Sequence, residues 1–331
     1  MSAILALNGK RFGSWARTAS QQTVTPITVL FVLLFVSAWF IIGPVFVSSS
    51  NLGNILVRAV ALGFVAIGQT FVILGGSFDL SVPWVVSLSA VTAAVVMQGR
   101  TAWLVPGILA ALTVSALVGL ANGLLVTKLR VNAFIATLAM SLVLEGLLSS
   151  SFSQAVGAVP VGMQAFAYQG IGPVPWAAWL FFATAVGAWW ILRSSRFGAH
   201  LYAVGGSRAI ARQAGVRSDR VLVAAHIMCS VLSGVAGVFL ASRLGAGSTT
   251  IGPDGVYDLY SIAAVVLGGT ALLGGEGGVV GSVIAVFVLA TLDNIFTQLS
   301  IDPYVIEVVR GSIMIVAVVA YGLRLRKRAQ A

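Results

Sequence analysis

Run after run of about twenty apolar residues, parted by short polar or glycine-rich joints, fills this chain from residue 27 to residue 323. A helix needs ~20 consecutive apolar residues to cross a bilayer core, while a barrel strand needs only ~10. Within that core every backbone N–H and C=O must be satisfied inside the spanning structure. The runs therefore predict helices, near 27–47, 55–74, 82–97, 103–126, 133–150, 176–192, 221–242, 259–273, 279–299 and 304–323. The fold class that follows is an all-α integral membrane protein of about ten transmembrane helices. The runs at 82–97 and 259–273 are short and bordered by glycine, which suits half-spanning or re-entrant helices. A soluble fold fails on composition: 59% of the residues are hydrophobic and 8% charged, against ~25% charged in a soluble domain. The 37 glycines fit close helix approach in lipid.

Charge orients the chain. A net charge of +10 on a soluble protein would point to nucleic acid, but here the charges fall between the apolar runs and report topology instead. With the N-terminus in the cytoplasm, fifteen Lys and Arg side chains lie inside, including six arginines between 193 and 220, while the outer loops hold only Arg100 and Arg243. Ten spans place both termini inside; an odd number destroys the asymmetry. The chain divides into a cytoplasmic N-terminal segment 1–26, a membrane domain 27–323 with a cytoplasmic loop 193–220, and a basic cytoplasmic tail 324–331. The first run is followed by Ser48-Ser49-Ser50 rather than a cleavage pattern, so it reads as a retained helix. Cys229, the single cysteine, lies in an apolar run and reads as inert packing.

The inner loop carries local helix signals. Ser207 is a good N-cap, 209–214 favours helix, and Gly215 suits the residue after its end, so a short helix from about 207 to 214 is expected. Its role is either a docking lever for a cytoplasmic motor or a basic loop on anionic lipid. The outer loop 151–175 has no charge at all. The glycine-rich stretch 268–281 lacks the G-x-x-x-x-G-K-[ST] phosphate loop and predicts a tight turn between short helices in a close-packed region. Phe78-Asp79-Leu80-Ser81 before the third run is echoed by Tyr257-Asp258-Leu259-Tyr260-Ser261 before the eighth, as an inverted repeat of helices 2–5 and 7–10 would produce. In both, the Asp could cap a helix N-terminus.

Ionisable groups inside the runs are Arg58, Glu145, Asp293, Glu307 and Arg310. Glu307 and Arg310 can pair across one helix turn, Arg58 can snorkel, and Glu145 and Asp293, without evident partners, are candidates for ion coupling. Gln69, Thr70, Asn122, Thr137, Ser141, Asn294, Thr297 and Gln298 could pass a neutral polyol by exchanging hydrogen bonds, or simply join helices. The tryptophans near span ends suit an interfacial belt. His200 and His226 have no acidic neighbours at helical spacing, so nothing points to an enzyme.

Four stretches carry a resemblance: Gly68-Gln69-Thr70-Phe71-Val72-Ile73-Leu74-Gly75-Gly76-Ser77-Phe78-Asp79-Leu80-Ser81-Val82, Asn132-Ala133-Phe134-Ile135-Ala136-Thr137-Leu138-Ala139-Met140, the loop from Phe197 to Gly215, and Leu259 to Gly281. In this order and spacing they resemble the ribose/xylose/galactose-type permeases of bacterial ATP-binding-cassette (ABC) importers, a branch of the branched-chain amino-acid and sugar permease superfamily. Pro83 stands where that family usually has Gly, and Ala214 where it usually has Ser. The resemblance implies a pore made with a second permease copy in the bacterial cytoplasmic membrane. It also implies a cytoplasmic ABC ATPase subunit carrying ATP and Mg, and a periplasmic or lipoprotein sugar-binding protein. This chain would bind no metal or cofactor and carry no catalytic residue. The ATPase would dock on Gly205, Gly206, Ser207, Arg208, Ala211, Arg212 and Gly215, and the sugar would pass Gln69, Asp79, Asn122, Phe134, Thr137 and Asn294. An ion-coupled carrier using Glu145 or Asp293, and an amino-acid permease, are the competing readings; the scarcity of charge in the spans favours a neutral solute.

Overall fold

A computed structural model of the chain describes residues 24–152 and 154–302, with 304–306, 308, 309, 311 and 312 of the last segment. The expected N-terminal segment and basic tail, the Glu307–Arg310 pair and most of the span expected at 304–323 lie outside the described residues. Helix α1 covers Val24–Ile42. It is followed by α2 (Ser49–Leu74), α3 (Val82–Met97), α4 (Leu104–Thr127), α5 (Ala133–Ser151), α6 (Val161–Tyr168), α7 (Trp176–Ser194), α8 (Arg196–Gly206), α9 (Arg208–Gln213), α10 (Ser218–Leu244), α11 (Tyr257–Leu267) and α12 (Val279–Gln298). Among the described residues seven helices are long and apolar enough to cross a membrane: α1, α2, α4 with its preceding turn, α5, α7, α10 and α12. At 16 and 11 residues, α3 and α11 are the short runs expected at 82–97 and 259–273.

Helices α2 and α10 form the centre, and both are mostly buried. They can come together because the residues facing each other are small: a Cβ on Gly68 would sit 2.9 Å from the Cys229 Cα. Around this pair α10 packs on α3 and α4, while α2 packs on α11 and α12; α3 meets α4, and α11 meets α12. Gly119 of α4 lies so close to α10 that a Cβ would approach His226 O to 2.6 Å. Helix α7 covers α2, and α5 rests on α3 and α4 at the edge. Leu33, Phe40, Leu109, Ile135, Leu142 and Trp190 are exposed on the peripheral helices α1, α4, α5 and α7, the surface that a hydrocarbon solvent requires.

Both short helices begin inside the bundle. After α2, residues 75–81 run without regular structure to α3. After α10, which ends in a left-handed Gly245, the chain doubles back along α3: a Cβ on Gly247 would lie 2.6 Å from the Val91 Cα, and Gly252 N donates to Ser87 Oγ at 3.0 Å. Helix α11 then starts beside the first turns of α3.

Two loops hold more structure than their sequences suggest. The uncharged loop 151–175 carries α6, started after Pro160, and a two-residue hairpin in which β1 (Gly170–Ile171) pairs antiparallel with β2 (Val174–Pro175). The arginine-rich loop 193–220 carries α8 ahead of the expected short helix. Ser195 caps α8 by accepting from Gly198 N at 3.1 Å, a helix-start signal as good as that of Ser207.

Candidate functional site

The segment expected to act as a docking lever holds α8 and α9. Ser207 is extended, ends α8, and caps α9 by accepting from Ile210 N at 3.4 Å; Gly215 follows α9 with φ +81°. Ala211 is buried under α9 and anchors it. Arg212 and Gly215 face out, and Arg212 is paired with Asp219 at 2.6 Å. Arg208 is partly buried, and desolvation, reinforced by the positive charge of Arg212 and opposed by Asp219, lowers its pKa. The two glycines before the cap differ: Gly206 is open, whereas a Cβ on Gly205 would run into Leu74 O.

That contact is one side of a three-way backbone joint. Gly275 N donates to Leu74 O at 3.0 Å. A Cβ on Gly275, whose φ is +77°, would lie 2.8 Å from Gly206 N, and one on Gly274 would lie 2.7 Å from Gly76 N. The end of α2, the end of α8 and the glycine-rich turn before α12 thus meet backbone to backbone, with no side chain between them. Tyr202 of α8 closes the joint by donating its hydroxyl to Gly277 O at 2.8 Å, and burial pushes that phenol up to about 12.

Deeper in the bundle a knot of side chains surrounds Asp79, which is fully buried. Its Oδ1 accepts from Ser81 N at 3.0 Å and Ser81 Oγ at 2.6 Å. Asn122 Nδ2 lies 3.3 Å from both carboxylate oxygens and 2.8 Å from Ser81 Oγ. His226 Nδ1 is 3.5 Å from Asp79 Oδ2, and its Nε2 meets Ser77 Oγ at 3.0 Å. Gln69 donates to Asp79 O at 3.3 Å and accepts from Cys229 Sγ at 3.4 Å, while Thr137 Oγ1 accepts from Leu80 N at 3.0 Å. Burying a lone carboxylate is costly. Here the Ser81 N–H, the Ser81 hydroxyl and the Asn122 amide cover it as donors. The effect is to tie the irregular 77–81 segment to α2, α4, α5 and α10.

Four residues singled out for a substrate pathway, Gln69, Asp79, Asn122 and Thr137, are thus brought into one cluster. Two are not. Phe134 is exposed at the start of α5. Asn294 belongs to a second buried cluster, exchanging hydrogen bonds with Asn51 at 2.8 and 3.1 Å while Gln298 donates to Asn51 at 2.8 Å. Asp79 is not the helix cap that its position suggested: Ser81 occupies the N-cap of α3, and Asp79 reaches back onto the Ser81 N–H. Asp258 does lie in the first turn of α11. Ser77 and Ser81 were not singled out from the sequence, Cys229 was read as inert packing and His226 as a histidine without an acidic neighbour, yet all four belong to the knot. The available signal was His226 itself, an imidazole in the middle of a 27-residue apolar helix. Glu145 is exposed on α5, Arg58 is exposed on α2, and Asp293 is half-buried and not without a partner.

The backbone joint and the buried knot both lie within a bundle of membrane-length apolar helices. Residues 51–318 match the family described as branched-chain amino acid transport system / permease component. The chain belongs to this permease family. The match begins in α2 and so leaves α1 outside it. The ribose import permease protein RbsC of Escherichia coli is 32% identical over 94% of this chain and 96% of its own length. The Bacillus subtilis ribose import permease protein RbsC is 35% identical over 90% and 92%, and the Escherichia coli L-arabinose transport system permease protein AraH 35% over 88% of each chain. No solved structure matches the chain significantly. This permease is a transport component.

Proposed function

We propose that this chain is the pore-forming permease of an ATP-driven bacterial importer for a monosaccharide or related polyol. The observation that carries the reading is the backbone joint between Leu74, Gly205 and Gly275. A force applied to α9 reaches the end of α2 and the start of α12 through backbone contacts that have no slack. An ABC ATPase subunit, which holds the ATP and Mg, docks on α9 at Arg208 and Arg212, and its closure swings α8 about Ser207. The movement pulls on the 75–81 segment, whose buried side chains must then exchange partners. The relatives named for ribose and arabinose support a sugar, and the neutral hydrogen-bonding groups in the bundle suit one.

Ten spans in two inverted halves account for the packing. Exchanging α2, α3 and α4 with α10, α11 and α12 turns every major contact into another: α10 with α3 and α4 against α2 with α11 and α12, and α3–α4 against α11–α12. Both halves contain an interrupted helix, as inverted-repeat transporters do. The inner face then holds the joint and the arginine-rich loop, and both termini are cytoplasmic. Glu145 supports a second copy. An acid exposed on α5 is expensive against lipid, so that face belongs at a wet pathway shared between two permeases. A periplasmic or lipoprotein sugar-binding protein delivers solute to the uncharged outer loop.

The test is recovery of the ATPase by tagged chain in mild detergent, wild type beside Arg208→Glu/Arg212→Glu. Recovery by wild type and not by the variant supports the motor and its dock together. Recovery by both moves the dock elsewhere. Ion-driven uptake by the purified chain alone overturns the motor.

A further inference from the structure

Two cavities open on one seam, between α4 and α10. The first, about 350 Å3, is apolar and lined by Leu109, Leu117 and Leu120 of α4 with Ile227 of α10. The second, about 250 Å3, lies at the inner end of the same two helices and is lined by Lys128, Arg217 and Arg220 together with the Arg212–Asp219 pair. The two are in register. Lys128 follows Leu117 by three helix turns, about 16 Å of rise on one face, and Arg220 precedes Ile227 by two turns, about 10 Å. Those spacings compare with the ~15 Å depth of one leaflet's hydrocarbon. Asp219, the one acid lining the basic cavity among the described residues, is paired with Arg212, so Lys128, Arg217 and Arg220 add three exposed positive charges beyond that pair. Leu129, between Lys128 and Arg130, is 69% exposed, an apolar side chain set in a basic rim where acyl chains and headgroups meet.

We propose that this seam is a binding site for an anionic phospholipid, its phosphate held by Lys128, Arg217 and Arg220 and one acyl chain laid in the groove beside Leu117 and Ile227. The chemistry required is a headgroup of net negative charge joined to a hydrocarbon chain: a free phosphate lacks the chain, and zwitterionic phosphatidylcholine cancels its phosphate with its own ammonium. The site borders the proposed ATPase dock at Arg212 but does not depend on the solute carried or on the motor.

The test is native mass spectrometry of the full chain in mild detergent, offered equal phosphatidylglycerol and phosphatidylcholine. Wild type should retain the anionic lipid with a preference of at least about tenfold, since each basic side chain strengthens attraction to anionic headgroups. Lys128→Gln/Arg217→Gln/Arg220→Gln should lose the preference, and Ala116→Trp, which fills the groove and keeps the charges, should lower retention of both lipids. A monodisperse elution profile for each variant shows that it is folded. The proposal is overturned if wild type shows no preference, if the triple variant keeps it, or if millimolar inorganic phosphate displaces the lipid, which would make the basic cavity a free-anion site. Loss of ATPase recovery by the triple variant with lipid retention unchanged would assign those cations to the motor instead.

Discussion

Around Asp79 the packing is closed by side chains, and around Gly205 by bare backbone. Both regions hold the same irregular segment, since residues 75–81 leave the joint at Leu74 and enter the knot at Ser77. A side-chain knot can re-form with new partners when helices shift, because each hydroxyl, amide and imidazole has spare hydrogen-bonding capacity. A backbone joint at this distance has no such freedom, because atoms already in contact transmit displacement or break apart. The first suits a place that must change partners during transport, and the second a place that must not.

The largest effect is expected at the knot. Asp79→Ala removes the acceptor of Ser81 and Asn122 and leaves their buried donors unsatisfied, at about 1–3 kcal/mol for each such group. A fall in the thermal midpoint of the detergent-solubilised chain reads it. Asp79→Asn keeps an oxygen for Ser81 and should fall less. If Asn behaves like wild type, the carboxylate charge contributes nothing and the knot is only a set of neutral hydrogen bonds; if Asn falls as far as Ala, the retained oxygen contributes nothing.

The adjacent glycines sharpen the other side. Gly205→Ala places a methyl group against Leu74 O, and overpacking of this kind costs ~1–3 kcal/mol. Gly206→Ala meets open space and should stay within ~0.5 kcal/mol. In vesicles containing the ATPase, the 205 variant should lose solute uptake while still recovering the ATPase, and the 206 variant should keep both. Uptake by both variants would remove the joint from the force path.

These two regions were unequally legible in the sequence. Gln69, Asp79, Asn122 and Thr137 stood out because polar atoms in an apolar run need a reason, and the fold collects them. The same logic misplaced Asn294, since a polar residue in a span announces that it has a partner but not which one; its partner is Asn51, 243 residues away. The joint was legible only in part. The glycine-rich 268–281 stretch announced a tight turn in a close-packed region, but nothing in the sequence said that it meets Leu74 and Gly205, and only three-dimensional convergence distinguishes Gly205 from Gly206. Helix α8 was hidden for a related reason: Gly198, Gly205 and Gly206 lower its helix propensity, while packing against α2, α7 and α10 restores it. Most of the described helices were readable to within about three residues, because bilayer thickness sets their length, but the end of α1, the start of α2 and the end of α11 fall five or six residues from the expected bounds.

The smallest effect separates rigidity from titration. Tyr202→Phe removes the hydroxyl donated to Gly277 O and should cost about 1 kcal/mol, the usual net worth of one hydrogen bond. Burial raises the Tyr202 pKa from 10.0 to about 12, so the folded state favours the protonated phenol. Its contribution is therefore complete below the unfolded value near 10 and is lost only as pH climbs toward 12. Between pH 6 and pH 9 the gap in thermal midpoint between Tyr202→Phe and wild type should stay constant. A gap that changes across that range would mean that the joint senses a titrating group, and the contrast between a fixed backbone joint and an exchangeable polar knot would fail at the residue that clamps the joint shut.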